Sequence, residues 1–167
     1  MRHDPPHVKH PHAFLLVGKE SFLKKEFIRS LRERFFPKQT DAALNFQEFV
    51  VSENSLAAWM DFAQTAPFLS EKRLAVLWGI DDLDETGQKT LLSHLARPPA
   101  ASVLVFVSEE GSAKKSGFLK ELAFFCQLTA CHAPFEKDLP QLVEHRVRSR
   151  KATIQKDAAY LLIERAG

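Results

Sequence analysis

The sequence predicts an α/β fold, a five-stranded parallel sheet flanked by helices, followed by the start of a small all-helical domain. Three observations carry this expectation. Strand-like and helix-like segments alternate five times between Phe14 and Cys131, the order that builds a parallel sheet with helices on both sides. Two of the strand-like runs, LAVLW (Leu74 to Trp78) and SVLVFV (Ser102 to Val107), are apolar with almost no alternation, as strands covered on both faces are. After Pro134 the strand signal stops, and two helical segments follow with nothing extended between them.

Taken in order, Phe14 to Val17 is a short apolar strand ended by Gly18. Ser21 to Phe36 places Leu23, Phe27, Leu31 and Phe35 at helical spacing, and Pro37 stops that helix. Leu44 to Val51 reads as a second strand, rich in aromatic and branched residues. Asn54 or Ser55 then caps a helix with an inward stripe of Leu56, Trp59, Met60 and Ala63, interrupted by Pro67. Gly79 ends the third strand, Thr86 to Leu95 reads as a helix, and Pro98 and Pro99 separate it from the fourth strand. Phe118 to Phe125 is helical, and Gln127 to Cys131 is a shorter, more polar fifth strand. Asp138 caps a helix with Pro140 in its first turn, running to about Arg150, and Lys156 to Arg165 forms another. The expected divisions are a flexible His/Pro-rich start over 1–13, an α/β domain over 14–136 and a helical domain beginning at 137. The last helix reaches Gly167 with an uncovered apolar face, as expected for part of a longer protein.

The chain has 167 residues, 45% of them hydrophobic, which supports a substantial core. A net charge of +2 is too mild to argue by itself for a phosphate-tracking surface. No apolar run approaches the roughly 20 residues of a membrane span, and no apolar core follows the N-terminal charges as in a secretory signal. Cys126 and Cys131, five apart in or beside a strand, should point to opposite faces and remain unpaired. A reducing cytoplasm is the expected compartment.

At Phe14 to Lys25, FLLVGKESFLKK, a strand hands over to a helix with the outline of a phosphate-binding loop. In G-x-x-x-x-G-K-[ST] the glycines admit backbone amides to phosphate oxygens, the Lys reaches the outer phosphates and the hydroxyl holds magnesium. Here Gly18 starts the count and Lys24 is in register, but Leu23 replaces the second glycine and Lys25 the hydroxyl. A Leu side chain blocks close backbone approach, and a cation at the magnesium ligand's place repels the metal. The expectation is a nucleotide-binding architecture that binds no nucleotide, with no cofactor.

The remaining chemistry reads weakly. Asp81, Asp82, Asp84 and Glu85 follow the third strand where such ATPases hold magnesium, but they come late, and a solvated, helix-capping loop is the expected role. Ser108, Glu109 and Glu110 occupy the phosphate-sensing place after the fourth strand, with capping or solvation expected instead. No G-x-S-x-G elbow is present, and His132 beside Cys131 faces away from it. His3, His7, His10 and His12 would bind metal only with acidic or Cys partners that do not stand nearby, so no metal site is expected. The basic runs Lys114, Lys115 and Arg146, Arg148, Arg150, Lys151 suit either a solvated helix face or DNA phosphate. In TAPFL, Thr65 to Leu69, Pro67 ends a helix and leaves Phe68 and Leu69 as consecutive large apolar groups at a turn. They are either filler beneath the third strand or an anchor for a partner's pocket.

Several segments together resemble the delta subunit of the bacterial DNA polymerase III clamp loader. They are FLLVG followed by a helix, LRER at Leu31 to Arg34, TAPFLSEKRLAVL at Thr65 to Leu77, PPAASVLVFV at Pro98 to Val107 and AAYLLIERAG at Ala158 to Gly167. The most specific is T-x-P-F-F-x-x-[KR]-[KR]-L, here with Leu69 for the second Phe. The resemblance implies an AAA+ type fold without a working ATP site, a helical lid, and a collar domain that this sequence does not include. It implies a noncatalytic subunit of a DNA-directed DNA polymerase holoenzyme, a nucleotidyltransferase complex. The implied partners are the sliding clamp (beta subunit), the delta prime and tau/gamma loader subunits, and primed DNA within the complex. It assigns Pro67, Phe68 and Leu69, with Thr65 in support, to the wedge that docks on the clamp and helps open it. The rival functions are a divergent ATPase using Lys24 with Asp81 or Asp82, and a DNA-binding module using Arg146 to Lys151.

Overall fold

The computed structural model describes residues 10–133, 139–149 and 152–166. Its sheet is formed by β1 (Ala13–Val17), β2 (Phe46–Val50), β3 (Arg73–Trp78), β4 (Ser102–Ser108) and β5 (Gln127–Ala130). All four pairings are parallel, in the order β2-β3-β4-β1-β5. The α/β expectation is thus met, strand for strand.

Every residue of β4 is buried, which explains the missing alternation in SVLVFV: both faces are covered. Residues one apart on the central strands enter opposite layers. Leu15, Ala75, Leu77, Leu104 and Phe106 pack with Trp59 and Ala63 of α3 (Leu56–Gln64), Leu91 and Leu95 of α4 (Glu85–Leu95), and Leu119 and Leu122 of α5 (Gly117–Phe125). Leu16, Leu74, Val76, Val103, Val105 and Val107 pack with Ile28 and Leu31 of α1 (Ser21–Phe35) and Ala42 of α2 (Gln39–Asn45). Cys126 joins the first layer and Cys131 the second, both as free thiols, so the opposite-face reading holds.

The caps explain where the helices begin. Ser55, Asp84 and Ser116 each accept a backbone N–H from the first turn of α3, α4 and α5. Two expectations need correction. Leu44 belongs to α2, not to the second strand, which starts at Phe46; the chain forms a short helix there because Ala42 fills the second layer. His10 to His12 are not a loose end. His10 N–H donates to Phe125 O, Gln127 Nε2 donates to Pro11 O and Leu104 N–H donates to His12 O, so this segment is held at the amino end of β1, between β4 and β5. His3 and His7 lie outside the described residues.

Compactness separates residues up to His132 from those beginning at Ala133. The second unit contains α6 (Leu139–Ser149) and α7 (Lys156–Ala166), with Ala159 buried and Tyr160, Leu161 and Leu162 exposed. Asp138, the expected cap of α6, lies outside the described residues. Among the described residues no helix is long and apolar enough to cross a membrane.

Gly18 shows why the turn after β1 tolerates so little. Its φ is +132°, and a Cβ there would lie 2.0 Å from the Cys131 carbonyl oxygen. Gly18→Ala should therefore destabilise the protein by about 2 kcal/mol or more, read as a lower midpoint in urea denaturation.

Candidate functional site: a sealed loop edge and an exposed apolar turn

Parallel strands gather their carboxyl ends on one edge of the sheet, where open α/β folds bind ligands. Here that edge is closed from within. Lys24, in α1, has no exposed surface, and its Nζ sits 2.7 Å from Glu109 Oε1, just past β4. Leu23, in the second glycine's place, packs against the second apolar layer, and Lys25 faces solvent. Gly18 is buried beneath Cys131, whose carbonyl accepts the Glu20 N–H. The cation that would meet phosphate thus meets a carboxylate 85 residues away in sequence.

The neighbouring acids are committed as well. Asp81 accepts a hydrogen bond from Ser108 Oγ at 2.7 Å and from the Glu109 N–H at 2.6 Å, tying the turn after β3 to the end of β4. Asp84 caps α4 through the Gly87 N–H, as expected. Glu109 departs from the capping or solvent role read for it: it is the counter-ion of Lys24. The ATPase pairing of Lys24 with Asp81 or Asp82 is not the contact formed. Among the described residues no three His, Cys, Asp or Glu side chains converge in a metal-binding group.

Neither thiol suits nucleophilic chemistry. Burial in the apolar layer pushes Cys126 up to about 12. Burial also raises Cys131, against the partial opposition of nearby Lys24. Of the candidate DNA-contacting residues, Arg148 is exposed and lies 3.7 Å from Glu144 one turn earlier. The Arg146 and Lys115 side chains, and Arg150 and Lys151 entirely, lie outside the described residues.

The opposite edge of the sheet holds the apolar turn, because residues 65–72 lead into the amino end of β3. Thr65 closes α3, donating its N–H and its hydroxyl to Asp61 O. Beyond half-buried Pro67, Phe68 is 56% exposed and Leu69 85% exposed. Leu69 also has φ +50°, the left-handed region that costs a branched side chain on the order of 1 kcal/mol. Burial beneath the third strand, the alternative reading of this pair, is excluded.

Two polar residues that sequence reading missed hold this turn. Asn45, fully buried at the end of α2, accepts the Phe68 N–H at 2.7 Å and donates to Phe68 O at 2.8 Å and to Asp41 O at 2.9 Å. Arg73, at the start of β3, donates to Phe62 O and Ala66 O and lies 4.4 Å from the Phe62 ring centroid. Burial pulls its guanidinium below its ordinary value. Lys72 Nζ then donates to Ala100 O, fastening the far end of the turn beside β4. A buried Asn within an apolar stretch was the available signal for Asn45; for Arg73 it was a charge opening an apolar strand.

The family model described as DNA polymerase III, delta subunit, matches residues 14–131, the span containing both edges just described. The chain belongs to the DNA polymerase III delta subunit family. The Bacillus subtilis DNA clamp loader delta protein matches this delta-family chain with TM-score 0.75 and 21% identity, over 92% of this chain and 48% of that one. A DNA polymerase III gamma subunit-related protein from Thermotoga maritima matches with TM-score 0.54 and 17% identity, over 89% and 52%. These likenesses concern the fold, and the delta-family chain spans about half the length of each of those proteins. A search of curated proteins finds no significant match.

The ion pair is asymmetric, with Lys24 sealed and Glu109 side-chain exposure at 65%. Removing the acid strands a buried ammonium, whereas removing the base leaves a carboxylate that water can solvate. Glu109→Ala should therefore cost about 2 kcal/mol or more in thermal or chemical denaturation, and Lys24→Met within about 1 kcal/mol of zero.

Proposed function

We propose that this chain is a noncatalytic clamp-loader subunit that docks on the sliding clamp through Phe68 and Leu69 and helps open the ring for loading on primed DNA. The observation that carries the proposal is the turn itself: two large apolar side chains held outward, one of them in a strained backbone conformation. A Leu that is mostly exposed and left-handed contributes almost nothing to folding, so its use is best explained by a surface it meets elsewhere. Membership of the delta family supports the sliding clamp as that surface, with delta prime and tau/gamma subunits as neighbours in the loader.

Covering the remaining surface of Phe68 and Leu69 would supply about 1 to 3 kcal/mol each, enough for the centre of a small interface. Docking alone does not open a ring. The turn shifts the clamp toward its open form only by the difference in its affinity for the two forms. It must therefore fit a relaxed clamp interface better than a closed one. The Lys24–Glu109 pair supports a role without ATP hydrolysis, since the lysine's charge is already met inside the chain.

Purified sliding clamp provides the test. Phe68→Ala and Leu69→Gly should each weaken clamp binding about tenfold or more in surface plasmon resonance. Leu69→Gly should be at least as stable as wild type, because glycine accepts the left-handed backbone. Undiminished binding by the double variant would sink the docking assignment. A clamp variant that cannot close its ring should bind the wild-type chain more tightly than the closed ring does.

A further inference from the structure

We infer that Asn45 is the positioning residue of the apolar turn, fixing Phe68 and Leu69 in their outward geometry before any partner arrives; this rests on the docking reading above. An Asn amide offers two N–H donors and one carbonyl acceptor. In Asn45 both donors and the acceptor are engaged, and two of the three bonds go to one residue, Phe68, at its N–H and its C=O. The amide therefore acts as one rung of a sheet would, holding the backbone of a residue 23 positions away that belongs to no strand.

The position of Asn45 makes that hold stiff. It is the last residue of α2 and immediately precedes β2, so its own backbone is fixed by helix and sheet together. Its third bond, to Asp41 O, sets the side-chain rotamer by tying it to the preceding turn of α2. Arg73 holds the turn upstream, at Ala66 O, and Asn45 holds it at Phe68. Leu69 is the next residue, and its positive φ is the kind of strained conformation that persists only where its surroundings impose it. A turn fixed in advance spares the complex the entropy of ordering it on contact.

A merely structural Asn would stabilise the fold without bearing on the partner, and the two roles separate experimentally. In Asn45→Ala, NMR hydrogen exchange on the free full chain should show the Phe68 amide exchanging about tenfold faster or more, and by a larger factor than the Val105 and Phe106 amides of β4, which report global opening. Affinity for the sliding clamp should fall about three- to tenfold, and adding Asn45→Ala to the Phe68→Ala, Leu69→Gly double variant should cause no further loss. Should Asn45→Ala fail to fold, Asn45→Leu serves: it has nearly the shape of Asn but offers Phe68 neither an acceptor nor a donor, and the same results are expected. An unchanged Phe68 exchange rate, or wild-type affinity in the Asn45 variant, would overturn the positioning role alone. No clamp binding by the wild-type chain would overturn the docking reading and the positioning role together.

Discussion

The complete burial of the central strands governs the rest of this molecule. With β4 enclosed on both faces, and β1 and β3 nearly so, no polar group can sit along the middle of the sheet without an internal partner. Polar chemistry is driven to the strand ends, and four side chains there find internal partners, three of them 23 or more residues away in sequence. Lys24 meets Glu109, Asp81 meets Ser108, Asn45 meets Phe68 and Arg73 meets Ala66. Two distinct edges result, one drawn shut by charge and one carrying apolar side chains into solvent.

These edges are separated by the length of a strand, about 20 Å for the six residues of β3. The loop edge has the layout of a phosphate site, and the residue that would greet a phosphate is neutralised by Glu109. A buried ammonium requires a partner in any case, and here the chain itself supplies the carboxylate. Sequence comparison with a phosphate-binding loop shows only that two residues are wrong. The structure adds that the third, correct in type, has been reassigned.

The strands and most helices were legible because each is a local pattern: apolar runs, helical spacing, and Ser or Asp immediately before a first turn. Helix α2 was not. It is seven residues long, too short for its period to register, and Leu44 faces outward beside an apolar strand, so helix and strand read as one run. Exposure of Phe68 and Leu69 was half legible, since Pro67 marked a turn but not its depth. The residues that hold the turn were beyond reach, because a contact spanning 23 positions leaves no periodic trace, and the same is true of the ion pair spanning 85.

Arg73 has a mechanical consequence. Its guanidinium grips the carbonyls before the turn while its backbone opens β3 opposite Ser102 of β4, and Asn45 grips Phe68 while leading directly into β2. A tug on the Phe68 ring would pass along both attachments into two adjacent strands of the sheet. The apolar tip is thus a handle welded to the body, and torque applied to either would turn the other.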